Sequence, residues 1–370
     1  MSAPLPAGPV LTVNAGSSSV KLSVVGEGSS VLSRTELPAP GLGGEDHLAS
    51  FLAGAPPLGA VAHRVVHGGR RFLGPVVIGP EVEADLGALA DLAPLHNGPA
   101  LRLVDEVRDA LPGLPAVACF DTAFFAHLPA EAATYALPED WRGRLGIRRY
   151  GFHGLSHAWT ARRAAEVVGR PLAALRLVSA HLGSGASLAA VAGGRPVDTT
   201  MGFTPLEGLV MSTRSGSVDP GALTYLLRHG GVEADELDWA LERRSGLLAL
   251  AGTGDLRQVV AGAGRGDAGC QLAWATYLHR LRAGVGAMAA AAGGLDVLAF
   301  TGGAGQASPL LRQEACGGLG FLGIHLDGER NGAGPPDRLV SSDASPVAVV
   351  VVEAREDLEM ARLARRLLGW

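Results

Sequence analysis

Two stretches decide how this chain is read: Asn14-Ala-Gly-Ser-Ser-Ser-Val-Lys21-Leu22 and His181-Leu-Gly-Ser-Gly-Ala-Ser-Leu-Ala189. Each is a turn of small residues joining short apolar segments, Val10–Val13 with Val20–Val25 and Leu175–Ala180 with Leu182–Val191. Gly then Ser stands at matching places, Gly16-Ser17 and Gly183-Ser184. One such hairpin is commonplace. A pair half a chain apart predicts duplicated domains facing each other across a cleft. Gly, Ser and Thr in such turns expose backbone N–H groups to an anion with no bulky side chain in the way.

The first hairpin also holds the chain's only lysine, Lys21, among 31 basic residues. A P-loop needs lysine after glycine, and Lys21 follows Val20. The protein-kinase V-A-I-K strand and polybasic membrane patches are equally excluded. Any phosphate is therefore handled by arginine, backbone amides and this one lysine. The net charge of −5 and the lack of a basic stripe argue against nucleic acid as a partner. A length of 370 residues, 47% hydrophobic and 18% charged, suits two folded domains. Cys119, Cys270 and Cys316 are odd in number and form no C-x-x-C pair, which reads as a reducing cytoplasm. No signal-peptide pattern opens the chain, and the most apolar stretch, Ala283–Leu295, falls short of the ~20 residues a span requires. The expectation is a cytoplasmic protein with no membrane partner.

A third glycine segment, Thr301-Gly-Gly-Ala-Gly-Gln-Ala-Ser308, follows a strand at Val297–Phe300 and reads as a nucleotide-sized loop. Gly318-Leu-Gly-Phe-Leu-Gly323 matches G-x-G-x-x-G but precedes an alternating strand-like segment, so it is set aside. His63/His67 and His153/His157 have H-x-x-x-H spacing without the adjacent Glu of a zinc helix. In Gly151-Phe-His153-Gly154 the histidine reads instead as a ligand contact. The segment Asp198–Pro220 has no helical or strand period and is dense in Thr, Gly and Ser around Arg214. Loops that long are more often functional than structural. Helical spacing covers Glu81–Leu92, Pro99–Ala110, His157–Val168 and most of 205–295. A final helix, Asp357–Leu368, places Glu356 and Asp357 at its positive end and Arg365 and Arg366 near its negative end.

Together with Pro94-Leu-His-Asn97, Cys119-Phe-Asp-Thr-Ala-Phe124 and Tyr150-Gly-Phe-His-Gly154, these segments resemble the acetate kinase family. The resemblance runs from about Leu11 to the C-terminal helix, in at least seven separated motifs in order. It implies an α/β fold of two ribonuclease-H-like (actin-like ATPase) domains, with mixed sheets flanked by helices. The expected bounds are 1–147 plus 357–370, and 148–356. It implies reversible, Mg²⁺-dependent (or Mn²⁺-dependent) transfer of the γ-phosphoryl group of ATP to acetate, giving acetyl phosphate and ADP, in a homodimer. By the same resemblance Asp121, His153, Arg214 and Arg64 are catalytic. Arg64, Val66, Leu95, Phe152 and Pro205 surround the acid. Asn14 and Glu356 serve the metal. Lys21, His181, Leu182, Gly183, Ser184 and Gly185 serve the nucleotide, with Asp255, Leu256, Arg257 and the run Gly303, Ala304, Gly305, Gln306 and Ala307.

The chemistry agrees. The acceptor carboxylate has a pKa below about 5 and is already ionised at neutral pH, so no base is required. Positioning and positive charge must supply the rate, which suits paired donors from Arg64 and Arg214. Asp121 then orients an arginine rather than carrying a proton. The chain departs from the family pattern at Ser184, where Asn is usual, and at Gln306-Ala307, where Glu-Asn is usual. Arg355 and Asp357 stand for Asn and Glu, and Phe125 and His127 for His and Thr. Nucleotide affinity and donor choice are therefore open. So are a propionate or broader short-chain-acid kinase and, in a different class, an actin- or chaperone-like ATPase switch or nucleotide-binding regulator.

Overall fold

The computed structural model describes residues 7–16, 19–38, 45–89, 97–332 and 334–370. The chain divides into two compact units. The first comprises Met1–Ala126, Phe152–Trp159 and Arg355–Trp370, and the second His127–Gly151 and Thr160–Ala354. In place of one break near 147, the segment 127–151 goes with the second unit and 152–159 with the first.

The first unit is built on a sheet of β1 (Val10–Ala15), β2 (Ser19–Val25), β3 (Val31–Pro38), β4 (Ala60–Val65), β5 (Val76–Val77) and β6 (Ala116–Phe120), in the order β3-β2-β1-β4-β6-β5. β1, β2 and β3 are an antiparallel meander, while β4 and β6 continue from β1 in parallel. Period-2 alternation gives the sheet two apolar faces. On one, Val10, Ala62, Val117 and Cys119 pack with Leu155 and with Leu358, Met360, Ala361 and Ala364 of the C-terminal helix Glu356–Leu368. On the other, Leu11, Val13, Leu22 and Val61 pack with Leu48, Leu103 and Val107.

The second unit repeats this plan. Its strands are β7 (Arg176–Leu182), β8 (Ala186–Ala192), β9 (Arg195–Thr199), β10 (Val297–Thr301), β11 (Arg338–Leu339) and β12 (Ala348–Val351), in the order β11-β12-β10-β7-β8-β9. Again the first three form an antiparallel meander, and β10 and β12 run parallel to β7. In both sheets the edge strand beyond the parallel strands, β5 or β11, is short and antiparallel. The duplication expected from the two hairpins is thus present strand for strand. The helix Ala268–Ala291 buries Trp274, Tyr277, Leu281 and Val285 and packs on β7 and β8. Its start is fixed by Asp267, whose carboxylate accepts from the Cys270 amide at 2.7 Å.

Two local readings change. The glycine segment after β10 is a helix, Gly302–Ala307, rather than an open loop. β3 was not evident because it is an edge strand whose outward residues Leu32, Arg34 and Glu36 mix apolar and charged types.

Candidate active site

In the first unit, three adjacent parallel strands deliver their functional residues at their carboxyl ends, where ligands bind in open α/β sheets. Asn14 lies one residue before the end of β1, Arg64 one before the end of β4, and Asp121 directly after β6. Asn14, Arg64 and Asp121 share the sheet face that carries the C-terminal helix, so Glu356 at its first turn joins them.

The four side chains form one network. Arg64 Nε donates to both Asp121 oxygens at 3.2 Å, and Nη2 donates to Oδ2 at 2.6 Å. Arg64 Nη1 donates to Asn14 Oδ1 at 3.0 Å, and Asn14 Nδ2 donates to Glu356 Oε2 at 2.7 Å. Asp121 is buried, and the Arg64 side chain keeps 13% of its surface exposed. Burial pushes the Asp121 carboxyl above its ordinary range against the pull of Arg64. Burial also opposes the Arg64 charge, but Asp121 and Glu356 outweigh it and hold the guanidinium firmly protonated. The fork therefore fixes the plane of a guanidinium that stays charged at every working pH.

His153 reaches this network through its backbone. Its φ of +56° is unusual for a residue with a side chain, and its N–H donates to the Asp121 carboxylate. The helix Gly154–Val167 starts so close that a Cβ on Gly154 would overlap the Asp121 carbonyl oxygen. Glycine at 154 is thus a requirement of the site. Val66 and Phe152 are buried in this unit, with the Phe152 ring edge-on to His67 at 5.4 Å. His63 is buried on β4, and burial lowers its imidazole to about 3, so it is neutral. Leu95 lies outside the described residues.

In the second unit the β7–β8 turn, Gly183–Gly185, is closed by the Gly183 amide donating to Gly185 O at 3.0 Å. Thr301 pairs with His181 in the β10–β7 ladder, which places the helix Gly302–Ala307 beside that turn. The Ser212 amide donates to Ser184 O at 3.1 Å and brings in the segment that carries Arg214. Residues 200–219 form neither helix nor strand. Arg214 Nε donates to Glu242 Oε2 at 2.8 Å, and Nη1 reaches Pro205 O at 3.4 Å. Asp255 caps the helix Leu256–Gly264, accepting from the Arg257 amide, and the exposed Arg257 side chain folds back onto it at 2.8 Å.

Two supports, Glu242 and Arg312, were missed in the sequence. Glu242 is Arg214's carboxylate partner. Arg312 is fully buried with no carboxylate partner among its hydrogen bonds. Its Nη1 donates to Gly305 O and Gln306 O at 2.7 Å, while Nε and Nη2 donate to the Asn331 side chain and backbone at 2.8 Å. Burial, with Arg338 nearby, lowers it to about 10, still charged at neutral pH. Gln306, with its amide oriented to satisfy both ends, accepts from the Gly302 and Ala354 amides at 3.0 and 2.9 Å. The glycine helix is thereby held at both ends by Arg312 and Gln306. Chain position offered no hint of Arg312 among so many arginines.

Among the described residues no group of three or more His, Cys, Asp or Glu could hold a metal. One carboxylate beside an amide still suits Mg²⁺, which arrives on phosphates and keeps most of its waters. Glu356 fits that role. Asn14 spends its oxygen on Arg64 and its nitrogen on Glu356, which makes it an orienting residue.

A duplicated pair of mixed sheets, one with a forked arginine cluster and the other with a hairpin turn and a glycine helix, matches the actin-like ATPase fold as it occurs in kinases. A model described as the Acetokinase family matches residues 53–362, and the chain belongs to that family. Acetate kinase of Leifsonia xyli subsp. xyli is 48% identical over 96% of this chain and 98% of its own length. Among solved structures, Porphyromonas gingivalis acetate kinase superposes with a TM-score of 0.89 at 36% identity, covering 98% of this chain and 100% of that one. A propionate kinase from Francisella tularensis also superposes with a TM-score of 0.89, at 32% identity over 96% of this chain and 99% of that one.

Proposed function

We propose that this kinase transfers the γ-phosphoryl group of ATP to acetate, reversibly, giving acetyl phosphate and ADP. The observation that carries the reading is the Arg64 fork: a buried carboxylate and an amide lock a permanently charged guanidinium at the strand ends. An acetate oxygen attacks the γ-phosphorus, the bond to the ADP oxygen breaks, and the electron pair leaves with ADP. The attacking oxygen carries no proton, so Asp121 positions Arg64 and is no base. Arg64, Arg214 and the His153 side chain counter the charge spread over the equatorial oxygens. Val66, Phe152 and Pro205 are assigned to the methyl group of the acid. The turn His181–Gly185, the Gly303–Ala307 run, Asp255–Arg257 and Lys21 hold the nucleotide. Glu356, oriented by Asn14, would hold Mg²⁺ (Mn²⁺ substituting), which when bound would draw charge from the phosphate oxygens.

A hydroxamate assay with ATP, Mg²⁺ and acetate, propionate or butyrate tests this. Acyl hydroxamate with one ADP per acyl group is expected. Steady ATP hydrolysis without acyl phosphate from any acid would point to an ATPase switch. Propionate is the second reading, supported by the solved propionate kinase. One methylene in such a pocket changes binding by only ~1–3 kcal/mol.

We also infer a homodimer. The successive helices Pro220–His229 and Ala234–Arg243 bury none of their residues, and they expose Tyr225, Leu226, Leu227 and Trp239. Apolar exposure of that kind marks an interaction face. Sedimentation of the protein against Trp239→Asp would reveal it as a shift toward monomer. A cytoplasmic location accords with Cys119, Cys270 and Cys316 all standing as buried thiols. Among the described residues no helix is long and apolar enough to cross a membrane.

A further inference from the structure

Apart from the Arg214 contact to Pro205 O, the irregular stretch 200–208 is held by groups that the reaction itself does not use. The Tyr135 hydroxyl donates to the Glu207 carboxylate and accepts from the Phe203 amide at 3.0 Å. Arg149 Nη2 donates to the other Glu207 oxygen at 2.9 Å, and Nη1 donates to Thr200 O and Met201 O at 3.3 and 3.1 Å. The same guanidinium lies over the Tyr135 ring, 5.4 Å from its centroid. The Tyr150 amide donates to Gly202 O at 2.9 Å, and the Arg149 amide to Ala133 O at 2.8 Å. A Cβ on Gly202 would overlap both the Glu207 carboxylate and the Tyr135 hydroxyl, so any side chain at 202 would have to displace them.

Three segments, 133–135, 149–151 and 198–208, are thus tied at one point. Burial, reinforced by Glu207, pushes the Tyr135 phenol above its usual range, so it remains a donor throughout the working pH range. Such a network, fully satisfied, has one low-energy arrangement. Two residues proposed to line the acid pocket leave it directly: Pro205 two positions before Glu207, and Phe152 immediately after Arg149-Tyr150-Gly151.

We propose that Tyr135, Arg149 and Glu207 are positioning residues that set the place of Pro205, and through it the enzyme's selectivity for acyl-chain length. This rests on the reading of Pro205 as a pocket residue. Loss of the lock loosens the pocket wall, which weakens acetate and tolerates a longer chain. The nucleotide is held by other segments and is unaffected.

The test compares Tyr135→Phe and Glu207→Gln with the unaltered protein, using acetate, propionate and ATP as varied substrates. Tyr135→Phe should raise KM for acetate about tenfold, shift the propionate-to-acetate ratio of kcat/KM toward propionate by a similar factor, and leave KM for ATP within about twofold. Glu207→Gln, which can still bond the phenol, should shift both less. An unchanged selectivity ratio, or equal rises in KM for acid and ATP, overturns the proposal. Hydrogen exchange reads the lock without turnover: Tyr135→Phe should speed exchange of the Phe203 amide and of 200–208 while leaving β7 and β10 protected. Unchanged exchange there overturns it as well. An unaltered protein that makes no acyl phosphate would instead refute the proposed function, and exchange would still decide the lock.

Discussion

The two units share a strand order but, in the proposed function, would meet substrate by opposite means. In the first, side chains act. Arg64, Asp121, Asn14 and Glu356 come from three strand ends and one helix start, and each is a partner of the next. In the second, the proposed contacts of the turn 183–185 and the helix 302–307 are mainly backbone, and the side chains that matter stand behind them, Arg312 and Gln306 above all. A duplicated scaffold therefore does not dictate a duplicated site. The first should fail when charge is lost, and the second when its support is lost.

The sharpest break is at the charge. Arg64→Ala removes the forked cation and leaves Asp121 buried beside Glu356 with no counter-charge. Acyl phosphate formation should fall by about a thousandfold or more, in the range for lost phosphoryl-facing arginines and oxyanion donors. Asp121→Asn should fall nearly as far, since the amide cannot take both guanidinium bonds as an acceptor. Asp121→Glu should retain far more, because its carboxylate can still hold Arg64. Steady-state rates across pH check all three. Equal losses in Asp121→Asn and Asp121→Glu would break the reading of Asp121 as the holder of Arg64 and dissolve the contrast between the units.

How far each unit could be read from sequence follows the same contrast. The residues of the first unit's cluster were named through the family resemblance of the motifs that carry them, with Arg64 inside an apolar strand and Asp121 closing another. The topology was legible because the two hairpins recur with matching Gly-Ser turns. The support of the second unit was not. Arg312 lies in the helix Pro309–Gly317 with nothing local to distinguish it from the exposed arginines, since burial is set by packing of distant segments. Glu242 and Glu207 join their arginines across 28 and 58 residues of chain, which no local pattern reveals. The glycine segment 302–307 became a helix because Arg312 and Gln306 satisfy its ends, a tertiary override of glycine's poor propensity.

Removing that support is the middle test. Arg312→Met keeps bulk but leaves the carbonyls of Gly305, Gln306 and Asn331 without their donor. Folding should lose about 3 kcal/mol, as expected for buried acceptors left unpaired. KM for ATP should rise about tenfold while KM for acetate stays close to normal. Arg312→Lys should recover part of the ATP effect through one or two of the bonds. Denaturant titration with initial rates separates the two consequences. Equal weakening of both substrates would mean that Arg312 serves the fold alone, and that the second unit has no separate backbone site.

The smallest effect tests whether the first unit also uses a nucleotide contact of its own. Lys21 stands directly opposite Asn14 in the β1–β2 ladder, so both side chains project from the same sheet face, and Lys21 is exposed. That face carries Arg64 and Asp121. A compact ammonium on a flexible stem can follow a phosphate as it moves from donor to acceptor, whereas a planar guanidinium favours one fixed orientation. Lys21→Arg preserves charge, so the contrast between a charge site and a backbone site predicts little change. A dedicated phosphate contact predicts a rise of about threefold to tenfold in KM for ATP with KM for acetate unmoved. The second outcome is expected. In a chain where every other basic residue is arginine, it would show that the first hairpin requires the geometry of lysine and not merely its charge.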